Sequence, residues 1–136
     1  MSAITEFGNW MRERRQESAQ AYLAAGNEIS PFSEGDGEFG AYRRTTQWFR
    51  NMFVQPESGA PDTGWGEGWA SESREDTQRL AAYLGWLNGY VANWTPGSPI
   101  EKTYPGTADP EKYRAAIEIR DRFLETFPHL KPAPTS

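Results

Sequence analysis

The sequence predicts an all-α protein, built as a single domain of about four helices joined by long acidic loops rich in Gly and Pro. Three observations carry this prediction. Apolar residues recur three and four positions apart in four separate stretches, as on a helix face that turns toward a core. No stretch alternates apolar and polar residues in the way of a half-buried strand. The chain has 136 residues, the usual length of one domain with one core.

The first two helices are predicted in the N-terminal part of the chain. The first covers about residues 3–25, with Ile4, Phe7 and Met11 spaced by three and four, and Gly26 followed by Asn27 is a typical helix end. The second covers about residues 39–54, and Pro56 closes it. Its apolar stripe is the heaviest in the chain and consists of Tyr42, Thr45, Trp48, Phe49, Met52 and Phe53.

The third and fourth helices are predicted from their ends as well as from their apolar stripes. Residues 73–76 resemble a capping box with Asp in place of the usual Glu, and residues 95–97, Thr-Pro-Gly, end the third helix. The fourth begins with Asp109 as the N-cap and Pro110 as the first helical residue. Pro128 terminates it.

The connections between the helices are unusually long. Residues 27–38, 55–72 and 95–108 each form a stretch rich in Gly, Pro, Ser and Asp. Loops of this length are uncommon in compact helical proteins and are mostly functional or disordered. We therefore predict one helical domain over residues 1–130, with these loops as candidate contact surfaces, and a disordered tail over residues 131–136.

The composition excludes several kinds of site. The chain has no cysteine and one histidine, so disulfide bonds, thiolate zinc sites, cysteine nucleophiles and histidine-rich metal centres are excluded. No glycine-rich motif stands between a strand and a helix as in a phosphate-binding loop, and no G-x-S-x-G elbow is present. We therefore expect a binding protein rather than an enzyme, with no cofactor. Aromatic residues make up 14% of the chain, more than a core of this size is expected to need.

The net charge of −5 argues against nucleic acid as a direct partner, because neutralising phosphates requires clustered Lys and Arg. The N-terminal residues do not have the pattern of a signal peptide, and no apolar run is long enough for a membrane span. We therefore expect a cytoplasmic protein whose partners include neither nucleic acid nor a membrane.

The acidity is concentrated in two segments. Residues 27–38 hold four acidic residues and no Lys or Arg, and residues 56–79 hold six acidic residues against two Arg. The second segment also contains Trp65, which lies between two glycines, and Trp69, which follows one. Such a pair either packs onto the core or contacts a partner. The candidate partner-binding residues are Glu34, Asp36, Glu38, Asp62, Trp65, Glu67, Trp69 and Glu72.

The leading hypothesis is a small non-enzymatic binding or inhibitor protein that docks acidic, Trp-bearing loops on a basic surface of a protein partner. In its small size, acidity and lack of cysteine the chain is similar to phage-encoded inhibitors of nucleic-acid-binding host defence complexes. One alternative is a small-ligand-binding protein or carboxylate-dependent hydrolase, with a cleft lined by Tyr42, Trp48, Trp86 and Tyr90. Another is a helical structural subunit of a homo-oligomer.

Two further patterns have simpler explanations. Residues 34–38, Glu-Gly-Asp-Gly-Glu, resemble the first half of a calcium loop, but Thr45 stands where the twelfth-position Glu should be, so an EF-hand is excluded. Arginines at positions 12, 14, 15, 43, 44 and 50 can form a basic strip along the first two helices. Pairing with neighbouring acidic residues is the simpler interpretation of the strip, and a patch that binds phosphate or acidic groups is the alternative.

Overall fold

A computed structural model describes residues 3–53, 74–104 and 108–131. Within these ranges every regular element is helical, which confirms the predicted all-α fold. Across the same ranges, no helix combines the length and the apolar content that spanning a bilayer requires. The elements are α1 (Ala3–Ala24), α2 (Gly37–Phe53), α3 (Arg74–Trp94), α4 (Pro99–Thr103) and α5 (Pro110–Thr126), followed by a 3-10 turn at Pro128–Leu130.

The four long helices are the four that the sequence predicts, and local signals set their ends. α1 ends where Gly26 takes a φ of +92°, a conformation that glycine adopts without strain, and the Gly26 N–H donates to the Leu23 carbonyl at 3.0 Å. α5 begins after Asp109, whose Oδ1 accepts a hydrogen bond from the Lys112 N–H at 3.0 Å. Oδ2 of the same carboxylate accepts from the Gly37 N–H at 2.7 Å, so Asp109 also holds the first residue of α2.

Replacing Asp109 with Ala is expected to lower the free energy of unfolding by about 2 kcal/mol, because the cap of α5 and the bond to α2 are lost together. Asp109→Asn is the matched variant: it keeps one acceptor oxygen, and we expect it to recover about half of that loss. Urea denaturation followed by circular dichroism measures both. A loss below about 0.5 kcal/mol for Asp109→Ala would contradict the bridging role.

The short helix α4 lies inside the connection predicted for residues 95–108. Oγ of Ser98 accepts a hydrogen bond from the Glu101 N–H at 3.2 Å, and Oε2 of Glu101 accepts from the Gly97 N–H at 2.7 Å. This reciprocal pair closely resembles a capping box, whose sequence signature is a Ser followed by a Glu three residues later. The prediction of a loop here was therefore wrong over five residues, although the signal was present in the sequence.

The core forms where one aromatic ring from each long helix meets the others. The Phe7 ring lies 5.0 Å from the Phe49 ring and 5.3 Å from the Phe123 ring. The Tyr83 ring lies 5.2 Å from Phe49 and 5.4 Å from Phe123. α2 and α5 form the most extensive helix pair, and α1 and α3 pack against both. The four rings therefore join all four long helices at one point.

Nine aromatic side chains of the described residues are buried, whereas Phe32, Trp48 and Tyr104 are exposed, so the aromatic content is only partly used in the core. The Tyr83 hydroxyl donates to the Thr45 carbonyl at 2.8 Å, and complete burial raises the pKa of Tyr83 well above its usual value. Burial also raises the pKa of Tyr42 to about 12. The buried aromatic residues are Phe7, Phe39, Tyr42, Phe49, Phe53, Tyr83, Tyr90, Phe123 and Phe127.

Candidate functional site

The first acidic segment holds three predicted partner-binding residues, and the structure places them differently. Asp36 is exposed and immediately precedes α2. Glu38 is exposed but lies in the first turn of α2 rather than in the loop to which the sequence assigned it. Glu34, in contrast, has only 15% of its side chain exposed. The loop therefore ends at Asp36, two residues earlier than predicted.

The Glu34 carboxylate bonds to three other elements. Its Oε2 lies 2.7 Å from Nζ of Lys112 and accepts a hydrogen bond from the Tyr90 hydroxyl at 2.9 Å. Its Oε1 lies 2.8 Å from Nε of Arg44. Burial, and then the charge of Glu34, raise the pKa of Tyr90, so the hydroxyl remains a donor. The Lys112 ammonium also lies 4.1 Å from the centre of the Trp94 ring. Glu34 thus holds its loop to α2, α3 and α5.

A cleft of about 270 Å³ opens where the end of α1 meets the beginnings of α2 and α5. Asp36 and Glu38 line it, together with Glu111 from the first turn of α5. The half-buried Tyr22 ring supplies an apolar wall, and the buried Phe39 ring packs against it with ring centres 4.9 Å apart. We call this the acidic cleft. It combines three carboxylates with an aromatic surface.

The surroundings of the acidic cleft are also negative. Among the described residues that line it, none is Lys or Arg. The nearby Arg14 guanidinium lies 3.5 Å from Oε1 of Glu38, 3.3 Å from Oε2 of Glu17 and 3.5 Å from Oε1 of Glu118. A hydrogen bond to Tyr42 is the largest cause that raises the pKa of Arg14. One guanidinium is thus shared among three carboxylates, and the region keeps an excess of negative charge.

A second cleft, of about 360 Å³, lies between α2 and α3 and is lined by aromatic rings. Trp48 and Trp86 stack with ring centres 5.1 Å apart, and Trp86 and Tyr90 follow at 5.3 Å. These are three of the four residues predicted to line such a cleft. The prediction was wrong for Tyr42, which is fully buried with its ring 5.9 Å from Trp10, because that position of α2 turns toward α1. We call this the aromatic cleft.

The other predicted contacts lie outside the described residues and stay predictions. They are Asp62, Trp65, Glu67, Trp69 and Glu72, all within residues 54–73. The predicted disordered tail, residues 131–136, is described only at Lys131.

Sequence reasoning missed three residues of the acidic cleft: Tyr22, Phe39 and Glu111. Tyr22 and Phe39 lie just before and just after the acidic segment 27–38, and this position was the available signal. Glu111 gave no such signal, because a carboxylate in the first turn of a helix is common for its favourable effect on the helix alone. In the described ranges, no group of three or more His, Asp or Glu side chains is placed to hold a metal ion.

Comparisons with protein-family models, with curated proteins and with solved structures find no match to this chain. The chemistry of the two clefts is therefore the basis on which a function is assigned.

Proposed function

We propose that the protein is a non-enzymatic binding protein whose acidic cleft receives a Lys or Arg side chain from a basic surface of a protein partner. The observation that supports this most directly is the convergence of Asp36, Glu38 and Glu111 beside the rings of Tyr22 and Phe39. As the sequence predicts, acidic residues of this protein contact basic residues of the partner. In the acidic cleft these residues are Asp36, Glu38 and Glu111.

The cleft matches a long cationic side chain in both of its parts. Lys and Arg have an apolar stem and a charged head, and the stem packs favourably against aromatic rings while the head remains near polar groups. The Tyr22–Phe39 wall suits the stem, and the carboxylates of Asp36, Glu38 and Glu111 suit the head. Guanidinium also gains from lying over an aromatic face and from charge-assisted hydrogen bonds to carboxylates.

The surface offers room for more than one basic residue. A neighbouring cavity of about 350 Å³ shares Glu38 and Glu111 with the acidic cleft and adds Glu118 and Arg114. A partner with clustered Lys and Arg, such as the nucleic-acid-binding face of a defence complex, fits this distribution of charge. In this proposal the second acidic segment adds to the same contact through Asp62, Trp65, Glu67, Trp69 and Glu72.

A second candidate function rests on the aromatic cleft. Its stacked Trp48, Trp86 and Tyr90 rings, with Trp48 39% exposed, form the kind of surface that anchors a ligand or a partner by apolar contact. Trp48→Ala distinguishes the two candidates, because it leaves all charges of the acidic cleft in place.

Binding of a short fluorescein-labelled peptide rich in Lys and Arg tests the proposal. We expect fluorescence anisotropy to show binding that weakens with added salt, and no binding of a Glu-rich peptide. The triple variant Asp36→Asn, Glu38→Gln, Glu111→Gln is expected to weaken binding about tenfold or more, since each lost ion pair contributes up to about 1 kcal/mol.

The matched control changes net charge equally at exposed positions of α1 and α5: Glu6→Gln, Glu13→Gln, Glu125→Gln. We expect it to weaken binding less than about threefold. Tyr22→Ala removes part of the apolar wall without changing charge, and it too is expected to weaken binding. Equal losses for the two triple variants would contradict the acidic cleft as the site, and a loss confined to Trp48→Ala would favour the aromatic cleft.

A further inference from the structure

A third cleft, of opposite charge, lies between α1 and α2. Its volume is about 210 Å³, and the described residues that line it are Arg15 from α1 together with Arg43, Gln47 and Arg50 from α2. The three α2 residues are four and three positions apart, so they lie on one stripe of that helix. We call this the arginine cleft. The sequence suggested a basic strip along these helices, and the fold gathers three of its six arginines around one cavity.

The arginine cleft brings like charges together. Among the described residues that line it, none is acidic. Burial is the largest cause that lowers the pKa of Arg15, and the charges of Arg43 and Arg50 lower it further, so both lie within electrostatic reach of Arg15. Nη1 of Arg43 donates to the Ser33 carbonyl at 2.8 Å, so part of this guanidinium is held in position by the loop. The cavity thus brings guanidinium groups from two helices to one place, and an oxyanion there would accept charge-assisted hydrogen bonds from more than one of them.

We infer that the arginine cleft binds the phosphate group of a small phosphorylated molecule. Guanidinium presents its donors in a planar fork that matches the oxygens of a phosphate, and the Gln47 amide adds further donors. The arginine cleft thus has the hydrogen-bond donors that a phosphate group requires. The net charge of the whole protein, −5, disfavours the binding of a long polyanion. A small ligand is therefore favoured over a nucleic acid strand.

An adjoining cavity gives room for the rest of the ligand. Its volume is about 230 Å³, and it shares Arg43 and Gln47 with the arginine cleft. Pro31, Phe32 and Ser33 also line it, together with Glu34 and Arg44, which are paired with each other at 2.8 Å, and the Phe32 side chain is 97% exposed. A planar organic group attached to the phosphate would lie against this ring, as bases do on exposed aromatic side chains. The inferred ligand thus has a phosphate at one end and a flat apolar or aromatic group at the other.

Isothermal titration calorimetry with inorganic phosphate, pyrophosphate and adenosine monophosphate tests the inference. We expect adenosine monophosphate to bind more tightly than inorganic phosphate, and adenosine not to bind. Arg43→Gln and Arg50→Gln are each expected to weaken binding about tenfold, because each removes a charge-assisted contact. Arg120→Gln on α5, which does not line the cleft, is the matched control and is expected to change affinity less than about twofold.

Melting curves of the variants confirm that each one is folded, and Phe32→Ala tests the adjoining cavity. No binding by any of the three phosphate compounds, or equal weakening by Arg120→Gln, would overturn the inference. Tighter binding of a single-stranded oligonucleotide than of adenosine monophosphate, lost in Arg43→Gln, would overturn the choice of a small ligand. The triple variant of the acidic cleft retains this site, so failure here and failure of the proposed function are distinguishable.

Discussion

Replacing Gly40 with Ala is expected to cost about 3 kcal/mol or more of folding free energy. A Cβ at this position of α2 would lie 2.2 Å from the Gly35 carbonyl oxygen, 2.8 Å from its carbon and 2.8 Å from Cε of Lys112. The first two atoms belong to the backbone of the loop that Glu34 holds in place, so they cannot give way as a flexible side chain would. The loop would have to leave the helix and weaken the Glu34–Lys112 contact.

Replacing Gly89 with Ala, on another helix, is expected to raise stability rather than lower it. Gly89 is exposed on α3, and a Cβ there would meet nothing within 4 Å. Alanine favours a helix more than glycine does, so this variant is expected to be more stable by about 0.5–1 kcal/mol. Thermal and urea denaturation of the two variants give the comparison. A Gly40→Ala protein as stable as the wild type would show that the loop does not lie against α2 as described.

Replacing Glu34 with Ala is expected to cost about 3–5 kcal/mol, because it leaves the Lys112 ammonium buried without its carboxylate. The Lys112 side chain is only 4% exposed, so little water surrounds its ammonium group in the folded protein. The Tyr90 hydroxyl would lose its acceptor in the same variant. Glu118→Ala is the surface comparison: its carboxylate is 49% exposed beside Arg14, and we expect a loss below about 1 kcal/mol.

A double-mutant cycle separates the ion pair from simple loss of packing. The double variant Glu34→Ala, Lys112→Met removes both charges, and we expect it to be more stable than Glu34→Ala alone. Urea denaturation of the single and double variants gives the coupling energy. The buried network would be contradicted if Glu34→Ala cost no more than Glu118→Ala, or if adding Lys112→Met gave no recovery.

The helices were predictable because their signals are local. These signals are Gly26 after α1, Asp109 before α5, Pro110 as the first residue of α5, and apolar residues three and four positions apart. Each of them affects only residues close to it in the chain. α4 was missed although Ser98 and Glu101 carry a capping signature, since a helix of five residues has too few positions to show periodicity.

The acidic and arginine clefts were not predictable, because each depends on residues that are distant in sequence, whereas three residues of the aromatic cleft were predicted. The sequence of residues 27–38 does not distinguish Glu34, which bonds to Lys112, from Asp36, which remains exposed. Glu34 differs from Asp36 because α5 places the Lys112 ammonium 2.7 Å from the Glu34 carboxylate. Arg15 and Arg43 likewise line one cavity only because α1 packs along α2.

The position of a bound Lys- and Arg-rich peptide on the protein tests the proposed function most directly. In nuclear magnetic resonance titrations with ¹⁵N,¹³C-labelled protein, we predict that the largest shift changes occur at Asp36, Glu38 and Glu111. Nuclear Overhauser effects are predicted between the peptide's Lys or Arg methylene protons and the rings of Tyr22 and Phe39. Shift changes centred instead on Trp48 and Trp86, or spread evenly over exposed carboxylates, would contradict the acidic cleft as the partner-binding site.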